Sequence, residues 1–369
     1  MNIFKNKYYI FSILIIVSIF IGCNDKSDED IKIGFIAGLS GKYSNLGSGV
    51  RDGLLLAFDE IDYKIDDKNI KIIQKDDMQN KNEAKKAIDS LIKNNVKIIV
   101  GNATSSMTAI SLDAIQNKKN ILLFSATASS NDFTSKDDNF IRVQLEQSTK
   151  KHIKSVNYFI ENNYKKVYFI YDSTNMSYVN GYKNIFQELF VSKGGEKFVG
   201  SSDINNDYKD ILNDLNSQEY DLILVVANSI DSANIIQYIR LNKINKKILS
   251  SGWAKTRNFI QNGGKAVEGV LFSTSYDEQS KDKGYIEFVN NFKNKYNVLP
   301  SSSAAQGYEV GKIIIENLKI SSNPEKLKNR ILNIKKYNGV QGDIIFDKYG
   351  DIFREYFMMT IKDSKYIKL

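Results

Sequence analysis

Few residues in this chain could do covalent chemistry. It has one cysteine, Cys23, and one histidine, His152. His152 lies in the helical stretch 148–159, where a solvent-facing position is expected rather than a catalytic base. The chain has no HExxH motif, no clustered His/Cys/carboxylate set with metal spacing and no GxSxG elbow. These absences argue for binding and against an enzyme, with no metal or other cofactor expected. The remaining polar chemistry is concentrated in three loops rich in Gly, Ser and Thr: 38–49, 101–108 and 125–130. Each runs into a predicted helix. Backbone N–H groups at helix N-termini, joined by hydroxyls, suit a carboxylate or phosphate. The same serines and threonines are also good N-caps, at about 1 kcal/mol each, and local sequence favours that reading. Gly47-Ser-Gly49 is followed by Asp52 and then Gly53, one place late for a dinucleotide loop. No phosphate-binding lysine follows it.

Ahead of Cys23 run Lys5 and Lys7, an apolar stretch from Tyr8 to Ile21 and the small residue Gly22. The polar run Asn24–Asp30 follows. A basic start, a short apolar middle and a small residue before the cut are the layout of a secretory signal. The apolar part falls short of the roughly 20 residues a bilayer span needs. An uncleaved anchor, or a cut elsewhere, is the other reading. From Cys23 onward the chain is long enough for two domains. Its composition is globular, 42% hydrophobic and 25% charged. Lysines are scattered, without a basic cluster interleaved with aromatics, so no nucleic-acid partner is expected. A lone cysteine permits no intramolecular disulfide, and a packed core must hold the fold.

The elements that must position those loops alternate along the chain. Strands are expected at 31–37, 70–74, 96–100, 121–124, 166–171, 197–200, 222–226, 248–250 and 270–273. Several are almost uniformly apolar, as parallel strands covered on both faces are. Between them Val50, Leu54, Ala57, Phe58 and Ile61 form one helical stripe, and Ala84, Ala87, Ile88, Leu91 and Ile92 another. The pattern predicts an α/β protein with two doubly wound parallel-sheet lobes. Ligands of such sheets bind beyond the carboxyl ends of the strands, where the three loops fall.

Ile31-Lys-Ile-Gly-Phe-Ile-Ala-Gly-Leu-Ser-Gly41 and Gly53–Ile61 resemble the opening of type I periplasmic solute receptors, in the style of the branched-chain amino acid binding proteins of ABC importers. Asp76-Asp77, the segments 101–106 and 125–129, Phe140-Ile-Arg142, Ala304–Glu309 and the closing Gly342–Gly350 stretch continue the likeness in order over nearly all of 31–369. Phe20-Ile-Gly-Cys23 likewise resembles the lipobox of bacterial lipoproteins, with Phe20 and Ile21 in place of the usual leucine and small residue. The resemblances imply a signal peptide at 1–22 and a tether at 23–30 lipidated on Cys23. They imply one lobe from 31–145 plus 275–340, a second from 146–274 plus 341–369, and a hinge of three crossing segments.

The family likeness further implies that the ligand's carboxylate meets the Ser105 and Ser106 hydroxyls, the backbone around Ser125, and Thr127. Tyr43 would supply a first-loop aromatic unless Leu46 is the equivalent position. Tyr178, or Met176 in its place, would reach across from the second lobe. Asn228 and Ser229 would face the ligand beyond the 222–226 strand. Amino acid binders of this type commonly carry an acid near 250–254 for the ligand's ammonium, where this chain has Trp253. Trp253 is either core or a stacking surface in the cleft. An ammonium would then need Glu309 or Asp277, or the ligand has none.

The function so implied is a lipid-anchored extracytoplasmic receptor for a small amino acid, amide or other organic acid, closing about its hinge and serving a membrane permease. A sensing lipoprotein for a membrane receptor and a solute-free activator of a cell-wall synthase are the alternatives.

Overall fold

The computed structural model describes residues 30–369, so Cys23 and the segment ahead of it lie outside the described residues. The first sheet contains β1 (Ile31–Ala37), β2 (Lys64–Ile65), β3 (Lys68–Asp76), β4 (Ile98–Gly101), β5 (Leu122–Ser125) and β6 (Phe140–Arg142). Their order across the sheet is β2-β3-β1-β4-β5-β6, parallel except for the β2–β3 hairpin. Ile33, Phe35, Ile36 and Ala37 of β1 are buried on both faces, as the uniformly apolar run predicts. One face packs on Val50, Leu54 and Phe58 of the helix Ser44–Asp59 and on Val310 and Ile314 of Ser302–Leu318. The other packs on Ile88 and Leu91 of Lys81–Lys93 and on Ile115 of Ser105–Ile115.

The helices Ser44–Asp59 and Ser302–Leu318 cross almost backbone to backbone. A Cβ at Gly53 would lie 1.8 Å from the Ala304 carbonyl oxygen, and one at Gly307 would lie 2.1 Å from that of Val50. Gly53, out of place for a phosphate loop, is thus a packing residue that lets two helices touch.

The second sheet is built on β7 (Val167–Tyr171), β8 (Gly200–Asp203), β9 (Leu222–Val226), β10 (Lys247–Ser250) and β11 (Leu271–Thr274). A small third sheet follows, β12 (Lys336–Asn338), β13 (Asp343–Phe346) and β14 (Ile352–Phe353). Then β15 (Phe357–Lys362) and β16 (Lys365–Lys368) join the second sheet, giving the order β16-β15-β11-β10-β9-β7-β8. Ile344, Phe346 and Ile352 pack into the core of the first lobe. Of the closing stretch 341–369, only the part from Phe357 onward therefore lies in the second sheet. Helices Tyr208–Asn216, Ser229–Leu241 and Arg257–Gly263 cover one face of that sheet, and Thr149–Glu161 and Met176–Ser192 the other.

The chain crosses between lobes after β6, after β11 and between β14 and β15. Two lobes, each a mainly parallel sheet layered with helices, joined by three crossings, are the architecture the alternating pattern and the family likeness implied. The strand expected at 197–200 lies later, at β8, an edge strand whose Gly200-Ser-Ser-Asp203 sequence carries no apolar signal. His152 overturns its expectation. It is fully buried, edge-on to Tyr182 with centroids 4.4 Å apart, its Nε2 3.2 Å from the Gln147 side-chain oxygen. Burial, aided by the charge of Lys151, pushes its pKa well down. Lys151, His152, Ser155, Val156 and Phe159 form the inward face of their helix, with polar residues where it passes beneath the cleft.

Candidate functional site

The loops after β4 and β5 reach the lobe interface already braced. The Asn102 side chain donates to Asp77 at 2.7 Å and accepts from the Ser111 hydroxyl at 2.6 Å, while Thr104 donates to Gln79 at 2.8 Å. The Ser105 hydroxyl accepts from the backbone N–H groups of Ser129 (3.1 Å) and Ser130 (3.2 Å), tying the two loops together. Thr127 donates to the Ala103 carbonyl at 2.5 Å. The loops that could embrace an anion are therefore held in place by their own hydroxyls.

Across from them the second lobe supplies an aromatic wall. Tyr178 meets Trp253 edge-on, centroids 6.0 Å apart at 78°. Both are 7% exposed. Between the lobes lies a cavity, small in this closed form at about 70 Å³. The first lobe lines it with Leu46, Thr104, Ser105, Thr127, Ser129 and the helix start around Ser303 and Gln306. The second lobe contributes Lys151, Asn175, Tyr178, Trp253, Ser273 and Thr274, and the crossings contribute Gln144, Ser275, Tyr276, Arg354 and Tyr356.

Of the residues expected at the ligand, Ser105, Thr127, Tyr178 and Trp253 line this cavity, and Ser106, Ser125, Asn228 and Glu309 do not. Ser125 is fully buried beneath the loop it begins, donating to the Asn102 carbonyl at 3.0 Å and accepting from Ala128 N–H at 3.1 Å. Ser106 bridges the lobes: its N–H donates to Asn175 Oδ1 at 3.0 Å and its hydroxyl accepts from Ser177 N–H at 3.2 Å. Asn228 caps its helix through Ile230 and Asp231 N–H and donates to Asp231 at 2.7 Å. Glu309 stands behind the cavity, ion-paired to Arg354 and accepting from Val340 N–H at 2.9 Å. Trp253 is at once a cleft wall and a buried contact. Leu46 faces the cavity while Tyr43 sits at the rim against Trp253, and Met176 stays outside. Asp277 is likewise outside the lining, its carboxylate engaged by Gln279 N–H at 2.8 Å.

Sequence reasoning missed the two cations, Lys151 and Arg354, which are the only charged residues in the lining. The Lys151 ammonium lies 5.8 Å from the Tyr178 ring centroid and 5.4 Å from that of Tyr356. It forms neither an ion pair nor a hydrogen bond among the described residues. Burial lowers its pKa to about 7, with Glu146 acting to raise it and Arg142 to lower it. The Arg354 side chain is 10% exposed; one end of its guanidinium is held by Glu309, and its Nε is buried without a partner.

The lobes also meet around the rim. Lys42 pairs with Asp231 at 2.7 Å, Asn45 donates to Ser229 at 3.1 Å and accepts from Asn258 at 2.8 Å, and Thr174 donates to the Tyr43 hydroxyl at 3.2 Å. With these bridges made, the cleft is closed.

Two braced lobes closing over a polar, aromatic-walled cavity define a ligand receptor of the two-lobed, hinged kind. A sequence model of the family described as periplasmic binding protein matches residues 30–365, and the chain belongs to that family. It is a binding protein and not an enzyme. Among solved structures it is similar to a leucine binding protein from Thermotoga maritima, at TM-score 0.83 and 22% identity over 92% of this chain and 97% of that one. It is also similar to a branched-chain amino acid transporter substrate binding protein from Streptococcus pneumoniae in complex with isoleucine. That match has TM-score 0.82 and 25% identity, over 92% and 100% of the two chains. A solute binding protein of an ABC transporter from R. palustris in complex with benzoate matches at TM-score 0.82 and 17% identity, over 92% and 95%.

Proposed function

We propose that this chain is the extracytoplasmic solute receptor of an ABC importer, lipidated on Cys23, and that it captures a small organic carboxylate by hinge closure. The observation that carries the reading is the cavity between the lobes, floored by the chain crossings and bridged on its rim. A ligand touching both walls stabilises the closed form by its extra affinity for it, which is all that can shift such an equilibrium. The hydroxyls of Ser105 and Ser129, and that of Thr127 once it turns from the Ala103 carbonyl, would with the nearby backbone N–H groups take part in holding the ligand, and Tyr178 and Trp253 would cover its body. The ligands of the similar structures, leucine, isoleucine and benzoate, all carry a carboxylate, which supports the class. The layout ahead of Cys23 supports export and anchoring.

Thermal-shift screening of the purified full-length protein in detergent, against amino acids and organic acids, tests the reading. A ligand at 100 times its Kd adds about 2.7 kcal/mol of stability. A shift that disappears in Thr127→Ala supports the receptor. No shift with any carboxylate defeats it. Metabolic labelling with a radioactive fatty acid, compared with Cys23→Ala, tests the anchor separately.

A further inference from the structure

The charge balance of the cavity separates amino acids from other carboxylates. An amino acid brings an ammonium as well as a carboxylate, and a buried ammonium needs an acid beside it. The lining contains no Asp or Glu. The two acids the sequence made available are elsewhere: Glu309 is paired with Arg354, and Asp277 lies outside the wall with its carboxylate occupied by a backbone N–H. The lining instead carries Lys151, 4% exposed and without an ion-pair partner, and Arg354, whose buried Nε has no acceptor. Since Glu309 already balances Arg354, the lining has one positive charge without an ion-pair partner, on Lys151, with Glu146 acting on it only from outside the lining.

We infer that Lys151 is the specificity-determining counter-ion of the cleft, and that the cargo is an organic carboxylate without an ammonium group, its apolar body against the Tyr178–Trp253 wall. This deepens the receptor reading and rests on it. A zwitterion would bring a second cation next to Lys151 with no acid in the lining to balance it. A carboxylate alone supplies the missing charge and an acceptor for Arg354 Nε. The four aromatic residues of the wall, Tyr178, Trp253, Tyr276 and Tyr356, favour a flat body, so benzoate is a suitable probe.

Calorimetric titration of the full-length protein with benzoate, 4-hydroxybenzoate, leucine and isoleucine at pH 6.5, on wild type and Lys151→Met, tests it. The expected result is binding of an aromatic acid, weakened at least about 30-fold in Lys151→Met, with no binding of either amino acid. In the ligand-free protein Lys151→Met should raise Tm, because it removes a buried charge that has no partner; a merely structural lysine would lower it. Binding of leucine or isoleucine, or equal aromatic-acid affinity in the variant, overturns the inference and leaves the receptor reading standing. Failure of all four to bind overturns the inference, while the wider carboxylate screen decides the receptor reading on its own.

Discussion

The indole of Trp253 in the second lobe stacks on the phenol ring of Tyr43 in the first, with centroids 6.4 Å apart and planes inclined by 16°. The same indole turns its other contacts toward Tyr178 and the cavity. One side chain therefore joins the lobes and lines the site, so filling the site and closing it are coupled at Trp253.

Removing Tyr43 tests that coupling without touching the cavity lining. Tyr43→Ala forfeits the stack and the Thr174 hydrogen bond at the rim, a loss of about 1–2 kcal/mol from the closed state. Affinity should fall roughly tenfold, and small-angle scattering of the ligand-free variant should show a larger radius of gyration than wild type. An unchanged affinity would remove Tyr43 from the closure.

Lys42 and Asp231 form the charged part of the rim at 2.7 Å, with side chains 38% and 12% exposed. A pair this open is screened by salt and worth up to about 1 kcal/mol. Lys42→Met should weaken ligand binding by no more than about fivefold and flatten its salt dependence. Titrations at low and high sodium chloride check both.

The pH dependence follows from Lys151. Its folded-state pKa, about 7, is depressed below the ordinary lysine value by burial. Between those two values the unfolded chain binds the proton and the folded one does not, so stability rises with pH, by up to about 1.4 kcal/mol per unit. Below pH 7 both states are protonated and the full penalty of the buried ammonium is present. Glu146, Arg142, the rings of Tyr178 and Tyr356 and the neutral His152 surround it and do not reverse the sign. The Tm difference between wild type and Lys151→Met should shrink from pH 6.5 to pH 9. Carboxylate affinity, which needs the charged form, should fall over the same interval in wild type only.

Glu309→Gln leaves Arg354 buried without its counter-ion. Breaking such a pair costs about 3–5 kcal/mol, far more than the rim pair. The urea midpoint should drop accordingly, and a drop as small as that of a surface substitution would show Glu309 to be dispensable.

Much of the architecture was legible because burial of parallel strands on both faces writes itself as apolar runs: β1 and β9 begin and end where their sequences predict. Edge strand β8 and the two-residue β14 leave no such mark. At the site, Ser105 and Thr127 were found from loops ending parallel strands, a rule about backbone direction. Ser125 and Asn228 follow the same rule yet point into the scaffold, because which loop residue faces the cleft depends on turns the pattern does not encode. Lys151 was hidden among many lysines that are simply solvated. Its spacing was informative all the same, since 151, 152, 155, 156 and 159 share one helix face whose last two members, Val156 and Phe159, are core residues. Arg354 stood out only as an arginine in a chain that nearly always chooses lysine.

The charges of the cavity are unevenly shared. The first lobe offers it only neutral side chains, whereas Lys151 belongs to the second lobe and Arg354 to the last crossing. An anion entering the open cleft is therefore drawn electrostatically to one side before the other can touch it. On the proposed reading capture has an order: the second lobe with the crossing that carries Arg354 is the landing site, and the first lobe is the lid, with no charge toward the cavity, that closes on an occupant already in place. Arrival should then respond to ionic strength, while the dwell time that follows is set by the buried Lys151 contact, the hydroxyls and the rings, which salt screens far less.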